Sequence, residues 1–204
     1  MLYFLSANLT LLATPKNAST SLHAALRGEA SVIFRGSPRL KHMRFRRYRR
    51  HLEPLLEADT GAVPESMALI REPVGWLASW HRYRTRPGIA DPSASTAGLA
   101  FADFVEAYLS PAPPSYARLG SQARFLTDED DGATVTHLFR LEDLPSAGAF
   151  LAARLGRHVP LERRNMSAEA GAHDLPADLR ARLTDRFAQD YALWELAGRN
   201  RLSP

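Results

Sequence analysis

The stretch SMALIR (66–71) followed at once by EPVGWLASWHRYR (72–84) constrains the fold of this chain more than any other. The first part is apolar at successive positions rather than alternate ones. That pattern suits a strand covered on both faces, as in a parallel sheet. Pro73 then suits the first turn of a helix, and Val74, Leu77, Ala78 and Trp80 can form its buried side. A buried strand that runs straight into a helix is half of a strand–helix–strand unit.

Other segments repeat the alternation. LTLLA (9–13) has strand character and ends at Thr14-Pro15, and a helix follows from about Ser19 to Arg27, stopped by Gly28. SVIF (31–34) reads as a second strand. From Lys41 to Glu57 the spacing is helical, with Met43, Tyr48, Leu52, Leu55 and Leu56 on one face. Residues 87–98 form a loop, and helices are expected over 101–109 and 115–126. A strand begins in TVTHLFRLEDL (134–144), and a helix over 145–156 ends at Gly156. A long final helix (175–198) enters at Asp174 and Pro176 and exits at Gly198. The sum predicts an α/β fold: a single domain over 1–204 with a central parallel sheet flanked by helices in three layers.

With 204 residues, 45% hydrophobic and 24% charged, the chain has ordinary globular composition. It has no cysteine, which excludes a disulfide framework and a thiolate nucleophile and fits a reducing cytoplasm. No apolar run is long enough to span a bilayer. The opening MLYFLSANLTLLATPK lacks the basic start of a leader and is broken by Ser6, Asn8 and Thr10. The formal net charge of +4 points to an anionic ligand, and much of the excess lies in RLKHMRFRRYRRH (39–51).

In parallel α/β folds ligands bind at the carboxyl ends of strands. Two suggestive loops lie there. In the first, Pro15 stiffens the strand exit, Asn17, Ala18 and Ser19 let backbone N–H groups approach an anion, and Ser19, Thr20 and Ser21 offer hydroxyls. The helix that follows directs its N-terminal N–H groups to the same place, and Lys16 adds a point charge. In the second, Arg71 ends the buried strand and Ser79 lies about two helical turns on. An arginine fork and a hydroxyl suit a phosphate. Two anion loops at one sheet edge suit a ligand with anionic groups at both ends. The glycines of the nucleotide loop G-x-x-x-x-G-K-[ST] are absent.

The pair TPKNASTSL and REPVGWLASWHRYR resembles the two signatures of the sulfotransferases that use 3′-phosphoadenosine 5′-phosphosulfate (PAPS). LKHM (40–43), SQARFL (121–126), HLFRLEDL (137–144) and RRNMS (163–167) extend the resemblance toward the compact bacterial, Golgi-enzyme-like branch. The resemblance implies a P-loop-like domain. It also implies that Pro15, Lys16, Asn17, Ala18, Ser19, Thr20 and Ser21 bind the 5′-phosphosulfate, and that Arg71 and Ser79 bind the 3′-phosphate. Ser79 would touch Lys16, and Arg164 and Asn165 would close over the nucleotide. Asn17 stands where the family has Ser or Thr, Ala18 where Gly is common, and Trp80 and His81 crowd the place of a Tyr.

The chemistry so implied is sulfuryl transfer from PAPS to a hydroxyl or amine acceptor, and the arginines beside His42 lean toward a glycan or other anionic acceptor. Lys16 would meet the charge that grows on the leaving group, and His42, with an ordinary pKa of about 6.5, would take the acceptor's proton. Without the resemblance, His42 is a helix histidine kept neutral by arginine neighbours. Glu53 and Glu65 are fallback bases, Lys41 is a second candidate for the sulfuryl oxygens, and no metal is required. Glu142 and Asp143 read as a strand-end pin and a helix cap, and residues 128–131 as a solvated acidic turn. The competing readings are a P-loop nucleotide-binding protein or kinase, and a basic nucleic-acid-binding module. The apolar helical face of the arginine run argues against nucleic acid.

Overall fold

A computed structural model describes residues 1–89, 91–159, 161 and 175–199. Its strands are β1 (Leu2–Phe4), β2 (Leu9–Leu11), β3 (Val32–Ile33), β4 (Glu65–Ile70) and β5 (His137–Arg140). Its helices are α1 (Ser19–Leu26), α2 (Pro38–Lys41), α3 (Phe45–His51), α4 (Glu53–Thr60), α5 (Pro73–Arg84), α6 (Phe101–Leu109), α7 (Gln122–Leu126), α8 (Leu144–Leu155), α9 (Ala177–Arg186) and α10 (Ala188–Arg199). The fold is α/β, a five-stranded sheet flanked by helices, in the order β3-β1-β2-β4-β5.

The sheet is mixed, which corrects the expectation of a parallel one. Strands β2, β4 and β5 are parallel, but β1 runs antiparallel to both β2 and β3. The reason is local. A single 3-10 turn at Leu5–Ala7 and a left-handed Asn8 (φ 43°) connect β1 to β2. So short a link can only reverse the chain, whereas a parallel neighbour needs a crossover.

Both sheet faces are apolar and covered. Along β4, Met67 and Leu69 join one cluster with residues of α1 and α8, while Ala68 and Ile70 join another with α3, α7 and α10. Thr10 is fully buried among these apolar groups and donates to the Tyr48 hydroxyl at 3.1 Å. A third cluster unites α5, α6 and α9 around Trp76, Phe104, Tyr108 and Phe187.

Several boundaries differ from expectation. The long final helix is two, broken at Phe187 (φ −99°, ψ 16°), whose buried ring packs edge-on to Trp76 and stacks with Tyr108. Gly198 lies inside α10 rather than ending it, because the Arg140 guanidinium occupies the space where a β-carbon would stand. The segment before Gln122 is not helical: Ser121 caps α7 by accepting from the Arg124 N–H. The basic stretch divides into α2, α3 and α4, and Leu55 is exposed rather than buried. No helix among the described residues is long and apolar enough to cross a membrane.

Asp190 is buried and accepts the backbone N–H groups of Gln122 (2.7 Å) and Ala123 (3.3 Å), so it holds the start of α7 from α10. Burial pushes its carboxyl up to about 6, against the pull of those two N–H groups. The native state therefore holds this proton more tightly than the unfolded chain. The charge costs stability above that pH, and the cost is relieved as pH falls toward the ordinary aspartate range. Wild type should gain stability relative to Asp190→Asn as pH falls from about 7 to about 5. Urea unfolding of both proteins across that range measures it; a constant difference between them would contradict the assignment.

Candidate anion-binding site

Chain direction selects the site. After β2 the chain leaves through α1 toward β3 at one sheet edge; after β4 it leaves through α5 toward β5 at the other. The adjacent parallel strands β2 and β4 thus send their connections opposite ways. A crevice opens at their carboxyl ends, the place where open α/β sheets bind ligands. Residues 12–18 follow β2 there, and Arg71 follows β4.

The first loop is wound without glycine. Lys16 (φ 67°) and Ala18 (φ 53°) both occupy the left-handed region, which costs a residue with a β-carbon about 1–2 kcal/mol each. Ala18 is also the N-cap of α1, and its methyl group offers no cap to the N–H groups of the first turn. Those donors stay available for an outside acceptor. Of the three hydroxyl residues behind it, Ser19 is buried, Ser21 half-buried and Thr20 exposed.

The Asn17 side-chain amide is committed within the protein, which leaves its backbone N–H as the group expected to approach an anion. Asn17 is buried, and its Nδ2 donates to the Leu69 carbonyl and to Gln122 Oε1, both at 2.8 Å. Gln122 Oε1 also accepts the Arg71 N–H (2.9 Å), and its Nε2 donates to the Arg71 carbonyl (2.7 Å). One buried carboxamide therefore fixes both loops. The Trp76 indole adds a bond to the Pro15 carbonyl at 3.1 Å, which ties α5 to the first loop again. Gln122 lies in SQARFL, which sequence reading marks only as part of a resemblance.

Cations converge in the crevice. Burial, then the charges of Arg86, Arg71 and Arg82, lower the Lys16 amine to about 8. Its Nζ forms no ion pair among the described residues and lies 4.0 Å from the centre of the Tyr83 ring and 5.6 Å from that of Trp80. No hydrogen bond joins it to Ser79, in contrast to the expected contact. Burial also lowers Arg71, whose side chain makes no hydrogen bond among the described residues; Glu142 and Glu72 pull the other way. Glu142 accepts the Glu72 N–H and the Trp194 indole, and Asp143 caps α8, as the pin and cap expected of them.

Four buried side-chain polar atoms among the described residues make no hydrogen bond: Thr14 Oγ1, Asn17 Oδ1, Trp80 Nε1 and Arg82 Nη1. Buried polar groups are nearly always paired, so such atoms require explanation. All four belong to the first loop or to α5. Arg82 carries no motif in the sequence, although it lies three residues after Ser79 and so shares its face of α5; Arg86 follows just beyond the helix.

His42 joins the same edge. Its Nδ1 donates to the Ala13 carbonyl at 2.6 Å, which leaves Nε2 as the acceptor of a neutral ring. Burial lowers its pKa, aided by Lys41 and Lys16 and opposed by the Ala13 bond. The arginines expected to keep it neutral are not the cause. The fallback bases lie elsewhere: Glu65 pairs with His137 and Arg154 at the start of β4, and Glu53 sits by Arg49. Arg164 and Asn165 lie outside the described residues. The arginine run is divided, with Arg46 and Arg49 bonded to the acidic turn 128–131 and Arg44, Arg47 and Arg50 exposed.

No protein-family model, curated protein or solved structure matches the chain.

Replacing Gln122 by Ala leaves the Arg71 N–H and carbonyl without their partner. The expected loss is roughly 2–4 kcal/mol of stability, with weaker anion binding at both loops together. Thermal unfolding and phosphate-analogue titration of Gln122→Ala test this; a change in only one loop's ligand would show that the two are not coupled through the amide.

Proposed function

We propose that the chain is a sulfotransferase that moves a sulfuryl group from PAPS to a hydroxyl or amine acceptor, on a P-loop-like three-layer fold. The carrying observation is that every buried side-chain polar atom left unpaired among the described residues lies on the first loop or α5, beside Lys16, on which the charges of Arg86, Arg71 and Arg82 act. Like charges gathered in a crevice are tolerated when a ligand of opposite charge is their partner. A ligand with anionic groups at two ends matches loops on two adjacent strands.

The residues present fit such a donor. The first-turn N–H groups of α1, with Ser19 and Ser21, would hold the 5′ end, and Arg71 with Ser79 the 3′-phosphate. When bound, the donor supplies an activated sulfuryl group and a phosphate leaving group. Lys16 stands over Tyr83 with its charge uncommitted, free to meet negative charge at the first loop. His42 Nε2 is the lone pair able to accept an acceptor's proton, and the Ala13 carbonyl holds the ring in that tautomer. With an amine lowered to about 8, Lys16 keeps most of its charge near pH 7.

Calorimetry with 3′-phosphoadenosine 5′-phosphate, AMP and ATP decides the ligand. The bisphosphate should bind far more tightly than either, and Arg71→Ala should cost it about 2–5 kcal/mol, thirtyfold or more. Equal affinity for AMP would defeat the sulfotransferase reading in favour of a generic nucleotide site.

Lys16→Met and His42→Ala should fail differently. Loss of Lys16 should slow transfer for every acceptor, with product-nucleotide affinity less affected than by Arg71→Ala. Loss of His42 should hurt alcohols more than acidic phenols and remove the acid limb of the pH–rate profile. An unchanged profile in His42→Ala would assign that histidine to structure alone.

A further inference from the structure

Arg82 lies in REPVGWLASWHRYR, but the resemblance gives it no role, in contrast to Arg71 and Ser79. Its charge acts on Lys16 of the first loop and on Arg71 of the second. It follows Ser79 by three residues, so both side chains lie on one face of α5. Arg82 is half-buried, and its Nη1, sealed from solvent, makes no hydrogen bond among the described residues. Other α5 cations differ. Arg84 donates to the Ser115 and Tyr116 carbonyls and covers the Trp80 ring, and Arg86, just beyond the helix, is exposed. Arg84 is thus committed to the protein, whereas Arg82 has a buried donor and no acceptor.

A structural arginine would have found a carbonyl or carboxylate, as Arg84 has. Arg82 instead adds a like charge to the crevice and leaves a donor unpaired. Both features disfavour the unliganded protein and favour an anion that meets Nη1. Accordingly, we infer that Arg82 is a third ligand contact, bridging the two anion loops, which binds an anionic oxygen at a point common to both. The inference deepens the PAPS reading and rests on it for the identity of the ligand. It assigns Arg82 to specificity: a ligand with negative charge at both ends gains from this contact whichever end is altered.

The test uses Arg82→Gln and Arg82→Lys with four probes: 3′-phosphoadenosine 5′-phosphate, 5′-AMP, 3′-AMP and inorganic pyrophosphate. Arg82→Gln should weaken the bisphosphate about tenfold or more and weaken both monophosphates. Arg71→Ala should spare 5′-AMP. Arg82→Lys keeps the charge without the fork and should bind the bisphosphate with intermediate affinity. Unliganded Arg82→Gln should melt no lower than wild type, since it loses an unpaired buried donor and a repulsion. Unchanged bisphosphate affinity, loss confined to one monophosphate, or a marked fall in melting temperature would each overturn the inference. If Arg82→Gln does not fold, Arg82→Lys with wild-type affinity does the same. If wild type fails to prefer the bisphosphate over AMP, the sulfotransferase reading falls. Pyrophosphate then decides Arg82 separately: weaker binding in Arg82→Gln supports the contact, and equal binding refutes it.

Discussion

The site depends on one buried carboxamide. Gln122 satisfies a donor and an acceptor of the Arg71 backbone and receives the Asn17 amide, so two loops from two strands share one anchor. The anchor is itself held from behind, because Asp190 binds the N–H of the same residue. Inside a protein, a partly satisfied polar network costs more than an apolar core. The chain Asp190–Gln122–Asn17/Arg71 therefore orders the crevice as a unit, and α10, remote from the site in sequence, contributes to its shape.

The first loop shows what this anchoring permits. Ala18 and Lys16 hold positive φ without glycine, a cost that isolated loops of this sequence would avoid by changing conformation. Asn17, between them, clamps the turn to the Leu69 carbonyl of β4. The residue that departs from the expected Ser or Thr is thus the one that fixes the strained neighbours. The Asn17 side chain shapes the loop, and the first-turn N–H groups of α1 are left without a side-chain cap.

Much of this was legible in the sequence. The buried strand β4, helix α1, Pro73 at the start of α5, and the placing of both loops at one sheet edge follow from local patterns of apolar residues and caps. So do the roles of Glu142 and Asp143. What escaped was set by distant partners. β1 hides in an apolar opening whose direction depends on a turn of a few residues. The break at Phe187 arises from aromatic packing against Trp76 and Tyr108, which no helical period encodes. Gln122 and Arg82 carry no local signal beyond their helical positions; their meaning lies in what other segments bring to them.

The same anchoring governs the order in which the molecule can assemble. The β1–β2 pair closes over a few residues, but Gln122 meets Asn17 across 105 positions, Arg71 across 51 and Asp190 across 68. Closing such loops costs chain entropy before any contact repays it. The crevice is therefore a late product of folding, completed only when the C-terminal helix has docked behind α7. A nascent chain that has made β2, α1, β4 and α5 holds the residues of both loops, yet lacks their shared anchor until Gln122 and Asp190 have emerged and packed.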